Sequence, residues 1–288
     1  MALHRRWQAT GDIHGACCDA KLDRSRHRDR IHPDSGRDPG RSDGYEDLNL
    51  GISRHIGKFA GDRRVLALLL LAALFIAGRS WLAAHPEHDP WAPLNLSDPP
   101  GWATQAKLQA LRSDIPQCRA VLQRSEVAFS ALEPAGEGDC RRTDRTRLDA
   151  YPLVPDTPPT TCPMAVALQI WKRDTLEPAA REVFGSGIAR IEHLGAYSCR
   201  RLYGRDEGPW SEHATANALD IAGFVLDDGT RINVLSDWLA EGDKARFLRR
   251  VRDGACDGFA TVLSPDYNSA HADHFHFDMS DRWRGTCR

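Results

Sequence analysis

Near the C-terminal end, the stretch SAHADHFHFD (269–278) places three histidines and two aspartates within eight positions. A buried imidazole needs partners for both ring nitrogens, so this density points to a shared task such as gripping a cation. If HFHFD forms a strand, His274, His276 and Asp278 share one face, while Phe275 and Phe277 share the other. The aromatic face can enter a core and hold the strand, leaving the histidine face to line a cleft. Ligands mounted on a sheet lose little freedom when an ion binds.

Two histidines leave a metal site incomplete. The best source of further ligands is WSEHATANALDIAG (210–223), where His213 and Asp220 stand seven apart with Ala214, Thr215, Ala216, Asn217 and Ala218 between them. Such small residues permit a tight turn, so that His213 on a loop and Asp220 at the start of a strand can converge. Imidazole and carboxylate are zinc ligands, and three protein ligands with one open position make a catalytic site. An iron site of two histidines and a carboxylate is the competing reading. There the first histidine and the carboxylate commonly lie two apart on one strand, so the wider spacing here favours zinc. His193, His85 and His88 fit no such pattern and are read as structural or solvated. Of Trp171, Trp210, Trp238 and Trp283, the first choice for a groove residue is Trp210, three positions before His213; core packing is expected for most of the rest.

These residues need a scaffold. CPMAVALQIWKRDTL (162–176) reads as a helix with proline near its entrance, and TLEPAAREVFG as a second helix closed by Gly185. GIARIEHLG reads as a strand, and ALDIAGFVL (218–226) as another that turns at DDGT into RINVL. The segment SDWLAEGDKARFLRRVRDGAC is helical with a break near Gly242, and FATVLSP and HFHFDMS are short strands. The order implies an α+β domain with a mainly antiparallel sheet and packed helices. Upstream, residues 104–137 form a helical lead-in that Pro116 breaks or restarts. Residues 85–103 are proline-rich and read as an extended linker.

Residues 65–78 form an uninterrupted apolar run of 14 positions, preceded by Arg63 and Arg64. That is short for a full span and suits a signal peptide, although Trp81 to Ala84 extend it enough for a membrane anchor. Residues 63–84 are therefore expected to export the chain or tether it. Residues 1–62 lack apolar periodicity and are expected to be disordered, or to lie outside the natural protein if translation starts near Arg63. A net charge of −2, with no basic stripe or stacking motif, gives no reason to expect nucleic acid. Cys17 and Cys18 lie in the N-terminal tract. Cys118, Cys140, Cys162, Cys199, Cys256 and Cys287 are dispersed without a C-x-x-C pair, which fits three disulfides in an oxidising compartment better than free buried thiols. Cys256 with Cys287 is the expected bridge, because both flank the histidine strand; the remaining pairing is open.

SEHATANALD resembles the S-x-H-x6-D pattern of the zinc peptidases that include D-Ala-D-Ala carboxypeptidases and dipeptidases, hedgehog signalling domains and penicillin-insensitive murein endopeptidase. HADHFHFD resembles the second half, H-x-H, in the murein endopeptidase version. With CPMAVALQIW and YSCRRLYG, the set looks like the bacterial extensin-like C-terminal domain, over roughly residues 138–287. The resemblance implies a zinc domain of that fold, with His213, Asp220 and His276 as metal ligands. His271 stands where many relatives have a catalytic glutamate, and Arg200, with Arg201 as competitor, stands where relatives keep a side chain near the substrate carbonyl. His274, Ser211 and Trp210 fall around the substrate or behind the ligands. An imidazole base with an ordinary pKa of about 6.5 is expected to fail progressively below neutral pH. The implied activity is hydrolysis of peptide bonds in peptidoglycan stem peptides or cross-links in the bacterial periplasm, with residues 65–84 in the inner membrane or cleaved away. A zinc-stabilised module that binds cell-wall or protein ligands without turnover is the alternative.

Overall fold

A computed structural model of the chain describes residues 60–281 and 285–288. The expectations for residues 1–59, including Cys17 and Cys18, and for Trp283 lie outside the described residues. The described helices are α1 (Ala60–Ala84), α2 (Thr104–Ala110), α3 (Ile115–Arg124), α4 (Cys162–Trp171), α5 (Glu177–Phe184), α6 (Val234–Asp237) and α7 (Asp243–Ala255). The strands are β1 (Phe129–Ala131), β2 (Thr146–Leu148), β3 (Leu153–Val154), β4 (Ile188–Gly195), β5 (Ala218–Leu226), β6 (Arg231–Asn233), β7 (Thr261–Leu263), β8 (Phe275–Asp278) and β9 (Thr286–Cys287).

Local chemistry sets the boundaries. Pro116 lies in the first turn of α3, where a missing N–H is harmless, and the Asp114 side chain caps that turn through the Gln117 N–H; the proline restarts the helix. α4 runs through a single π turn, Lys172–Leu176, into α5, so two expected helices are nearly continuous. α5 ends at Gly185 with φ +68°, a left-handed cap that glycine adopts without a Cβ penalty.

A seven-stranded sheet has the order β3-β4-β5-β8-β7-β9, with β6 also paired to β5; β1 and β2 form a separate hairpin ladder. Its centre is antiparallel, but β3 runs parallel to β4 and β9 parallel to β7, so the sheet is mixed rather than simply antiparallel. Both parallel edges are two-residue strands, too short to carry a period in sequence. The core lies between this sheet and helices α4, α5 and α7, and draws in Leu108 from α2, Leu111 from the 3-10 turn that follows it, and Val121 and Leu122 from α3.

The proline-rich segment departs from an extended linker. Leu94 and Leu96 are buried in the same core, the Leu96 N–H donates to Ser125 Oγ at 2.9 Å, and the buried Lys107 ammonium donates to Pro86 O at 2.6 Å. Two leucines two positions apart supply apolar area that proline-rich composition alone does not advertise.

Three disulfides join Cys118 to Cys162, Cys140 to Cys199, and Cys256 to Cys287. The last is the expected bridge, fastening β9 to the end of α7. The second fastens the segment that carries Arg200.

β8 is held from behind. Phe275 and Phe277 are fully buried, edge-on to Trp238 at 5.5 Å and to Trp171 at 5.3 Å. Each indole N–H is satisfied, by Asp266 and by the Val251 carbonyl respectively. Burying each phenylalanine contributes about 1.5–3 kcal/mol. The opposite face of β8 is thereby fixed toward the cleft.

Candidate metal centre and cleft

Asp220 on β5 and His276 on β8 are directly opposed in the antiparallel register, so their side chains leave the sheet on one face. His276 Nδ1 lies 2.9 Å from Asp220 Oδ1. His213 comes from a 3-10 turn, Glu212–Thr215, capped by Ser211, whose hydroxyl accepts the His213 N–H at 3.3 Å. The turn exits through Ala216 at φ +57°, a conformation that costs an alanine about 1–2 kcal/mol and that the surrounding bonds must enforce. Asn217 supplies them: its amide donates to Glu212 Oε2 at 2.7 Å and its carbonyl oxygen accepts the Thr161 hydroxyl at 2.7 Å.

The turn delivers His213 Nε2 to 3.2 Å from Asp220 Oδ1 and 3.1 Å from His276 Nδ1. The three atoms form a nearly equilateral triangle. A tetrahedral cation with bonds of about 2.0–2.1 Å needs ligand atoms about 3.3–3.4 Å apart, so a few tenths of an ångström of spreading opens this triangle to receive one. The outward-facing nitrogens are committed in the sense a cation requires. His213 Nδ1 lies 3.2 Å from the Ala196 carbonyl and His276 Nε2 lies 3.1 Å from Asp278 Oδ2. With those N–H groups donating outward, the remaining lone pairs converge on one point. The donor set and its outer partners therefore fit a small divalent ion.

Electrostatics agree. Burial works against charge on His276, but hydrogen bonds to Asp220 and Asp278 outweigh it and raise the pKa to about 9. Burial likewise opposes charge on Asp220 and Asp278, yet their imidazole partners hold both carboxyls below the usual range.

Arg200, Tyr203, Tyr267, His271 and His274 line the cavity of about 160 Å³ over this triangle. His274 Nε2 reaches to 3.6 Å from Asp220 Oδ1 while its Nδ1 meets Asp273 at 2.8 Å, so it flanks the triangle. His271 ends a 3-10 turn, Ser269–His271, with Nδ1 at 2.8 Å from Asn268 Oδ1, which leaves Nε2 as the nitrogen that can accept a proton. Desolvation first, then the His274 and His276 charges and Arg200, depress its pKa to about 4, with Asp220 opposing. Its pKa thus lies below the ordinary 6.5 from which the failure below neutral pH was expected.

The two arginines separate. Arg201 stacks on Trp210 at 4.3 Å and bonds to the Gly208 carbonyl, whereas Arg200 faces the cavity. Trp210 packs under Arg201 and is not among the residues lining this cavity; Trp171 and Trp238 are in the core. Ser211 lines the cavity and caps the His213 turn. His193 meets the Asp156 carbonyl at 2.9 Å, far from these roles. Sequence reasoning did not single out three residues that line this cavity. Asp278 was visible on the His276 face but not as its anchor, and Tyr203 and Tyr267 sit in loops where no period marks them. Tyr203 has φ +58°, an unusual conformation for a bulky residue and a second strained backbone position beside the cleft.

The model of the family described as extensin-like protein C-terminus matches residues 116–288, and the chain belongs to that family. The match begins at α3, earlier than the motif-bearing region, in keeping with the contribution of α3 to the shared core. Comparisons with curated proteins and with solved structures give no match.

Proposed function

We propose that this protein is a zinc-dependent hydrolase of the bacterial cell envelope, cleaving peptide bonds in peptidoglycan stem peptides or cross-links. The observation that carries this reading is the convergence of His213 Nε2, His276 Nδ1 and Asp220 Oδ1 within 3.2 Å of one another beneath an open cleft. The spacing of these ligands resembles that of the D-Ala-D-Ala peptidase and hedgehog zinc group, which supplies the substrate class. Zinc held by His213, Asp220 and His276 would acidify a water and offer positive charge to the carbonyl oxygen.

The chain's own residues then divide the remaining work. His271, neutral at neutral pH, accepts a proton at Nε2 from the attacking water. Its protonated form is disfavoured beside Arg200 and the other imidazoles, so it readily gives that proton to the leaving amine. Arg200 stabilises negative charge developing on the carbonyl oxygen. Asp278 and the Ala196 carbonyl hold the ligand rings in register. Tyr203 and Tyr267 wall the cleft. His271 favours turnover over passive binding, since a binding module has no need of a proton acceptor beside its ion. Residues 65–84 hold the domain in or release it from the inner membrane, and the three disulfides suit the periplasmic side.

The test is incubation of the zinc-loaded protein with cross-linked muropeptides, with products read by mass. Two fragments whose masses sum to that of the substrate plus one water are expected. Tight muropeptide binding with no cleavage, where an active murein endopeptidase cleaves, would replace this reading with the binding module.

A further inference from the structure

Helix α1 carries, within Gly61–Ala84, an 18-residue window of mean hydropathy 2.1, and none of that window is buried in the structure. Its length and composition suit an apolar surrounding. At its C-terminal end the chain stays close. His85 Nδ1 bonds to the Trp81 carbonyl at 2.9 Å, and the His85 and His88 rings stack on Trp81 at 4.5 and 5.3 Å. Trp102 returns to this stack, 4.7 Å from His88 and 5.8 Å from Trp81, with its indole N–H on the His88 carbonyl. Trp91 shares a hollow with Phe75, Gly78, Arg79 and Leu82, alongside the last turns of the helix.

Three indoles therefore surround one end of the helix, and all are open: Trp81 is 43% exposed, Trp91 80% and Trp102 71%. A tryptophan normally buries about 150–250 Å² when it finds a partner, so three exposed ones together call for an occupant. Indole favours the boundary between lipid headgroups and acyl chains, where its ring is apolar and its N–H stays wet. The helix supplies the continuity: its apolar run at 65–78 is about 21 Å long at 1.5 Å per residue, short of a hydrocarbon core of about 30 Å. The indoles lie where that run gives out, the level at which a thin span meets the interface. Charges nearby are mixed, Arg79 and Lys107 against Glu87, Asp89 and Asp98, so the attraction is apolar rather than a pull toward anionic lipid.

We infer that Trp81, Trp91 and Trp102 seat the segment 81–102 in the lipid headgroup–acyl boundary, docking the domain on the bilayer surface instead of leaving it on a free tether. The packing of Leu94, Leu96 and Lys107 into the domain transmits that seat to the sheet. The inference rests on the reading of residues 65–84 as a retained membrane anchor, and not on the metal or on hydrolysis.

The test uses the full chain reconstituted in phosphatidylcholine bilayers, with acyl chains brominated just below the headgroup as quenchers of indole fluorescence. W91F and W102F should each remove a share of the lipid-quenched emission comparable to one indole, with circular dichroism unchanged. W238F, in the core, should remove none of it. Replacing part of the lipid with phosphatidylglycerol should leave the quenched share unaltered. The inference is overturned if W91F and W102F instead remove emission quenched by aqueous iodide, which places the rings in water. It is equally overturned if W91C cross-links chains pairwise while the indoles escape both quenchers, which gives the patch to a second copy.

Discussion

The floor and the rim of the cleft are built differently. The floor, His213, Asp220, His276 and Asp278, has side chains only 2–13% exposed, and three of the four stand on the adjacent strands β5 and β8. The rim, Arg200, Tyr203, His271 and Tyr267, comes from short turns and connecting segments, with Tyr203 and Tyr267 56% and 40% exposed. Sheet register fixes distances to tenths of an ångström, which ion binding requires. Loops can vary without disturbing that register, which choice of substrate requires. Floor substitutions should therefore change metal affinity, and rim substitutions should change turnover at constant metal content.

The largest effect is expected at the floor. Asp220→Ala or His276→Ala should abolish metal retention after dialysis, read by elemental mass spectrometry, and activity with it; full retention in either variant breaks the distinction. At the rim, His271→Ala should lower kcat about 10²–10⁴-fold with metal content intact. Loss of metal in that variant would move His271 into the floor. Arg200→Met should cost about 10²–10³-fold, mostly in kcat; a change confined to KM would assign it to substrate binding instead. Asp278→Asn should weaken metal affinity about 10–100-fold in a competition titration with a chromophoric chelator. An unchanged affinity would show that His276 needs no anchor.

The smallest effect is a pH dependence. His271 titrates near 4 in the folded chain against 6.5 in the unfolded one. Between those values the unfolded chain binds a proton that the folded chain refuses, so this group lowers stability as pH falls through that window. Metal-free wild type should thus lose more Tm than His271→Gln between about pH 7 and pH 5. Equal losses would show that the ring is not desolvated in the cleft.

Much of the floor was legible because it obeys a period. Alternation in HFHFD separated Phe275 and Phe277 from His276 and Asp278, and the small residues between His213 and Asp220 announced a tight turn. Asp278 acquired its role only when the direction of the His276 ring was known, since a residue pattern does not say which nitrogen faces inward. The rim was less legible. Trp210 is close to His213 in sequence, but it packs under Arg201 and is not among the residues lining this cavity. Tyr203 and Tyr267 sit on aperiodic backbone, and the two-residue parallel edges β3 and β9 are set by tertiary pairing. Leu94 and Leu96 were hidden by the prolines around them.

The most direct test is the coordination of zinc itself, by X-ray absorption on the full chain loaded with one equivalent. The account predicts a four-coordinate shell of two imidazole nitrogens and oxygen donors at about 2.0–2.1 Å, with the imidazole scattering diminished in His276→Ala. A six-coordinate oxygen shell, or a spectrum that His276→Ala leaves untouched, would contradict it.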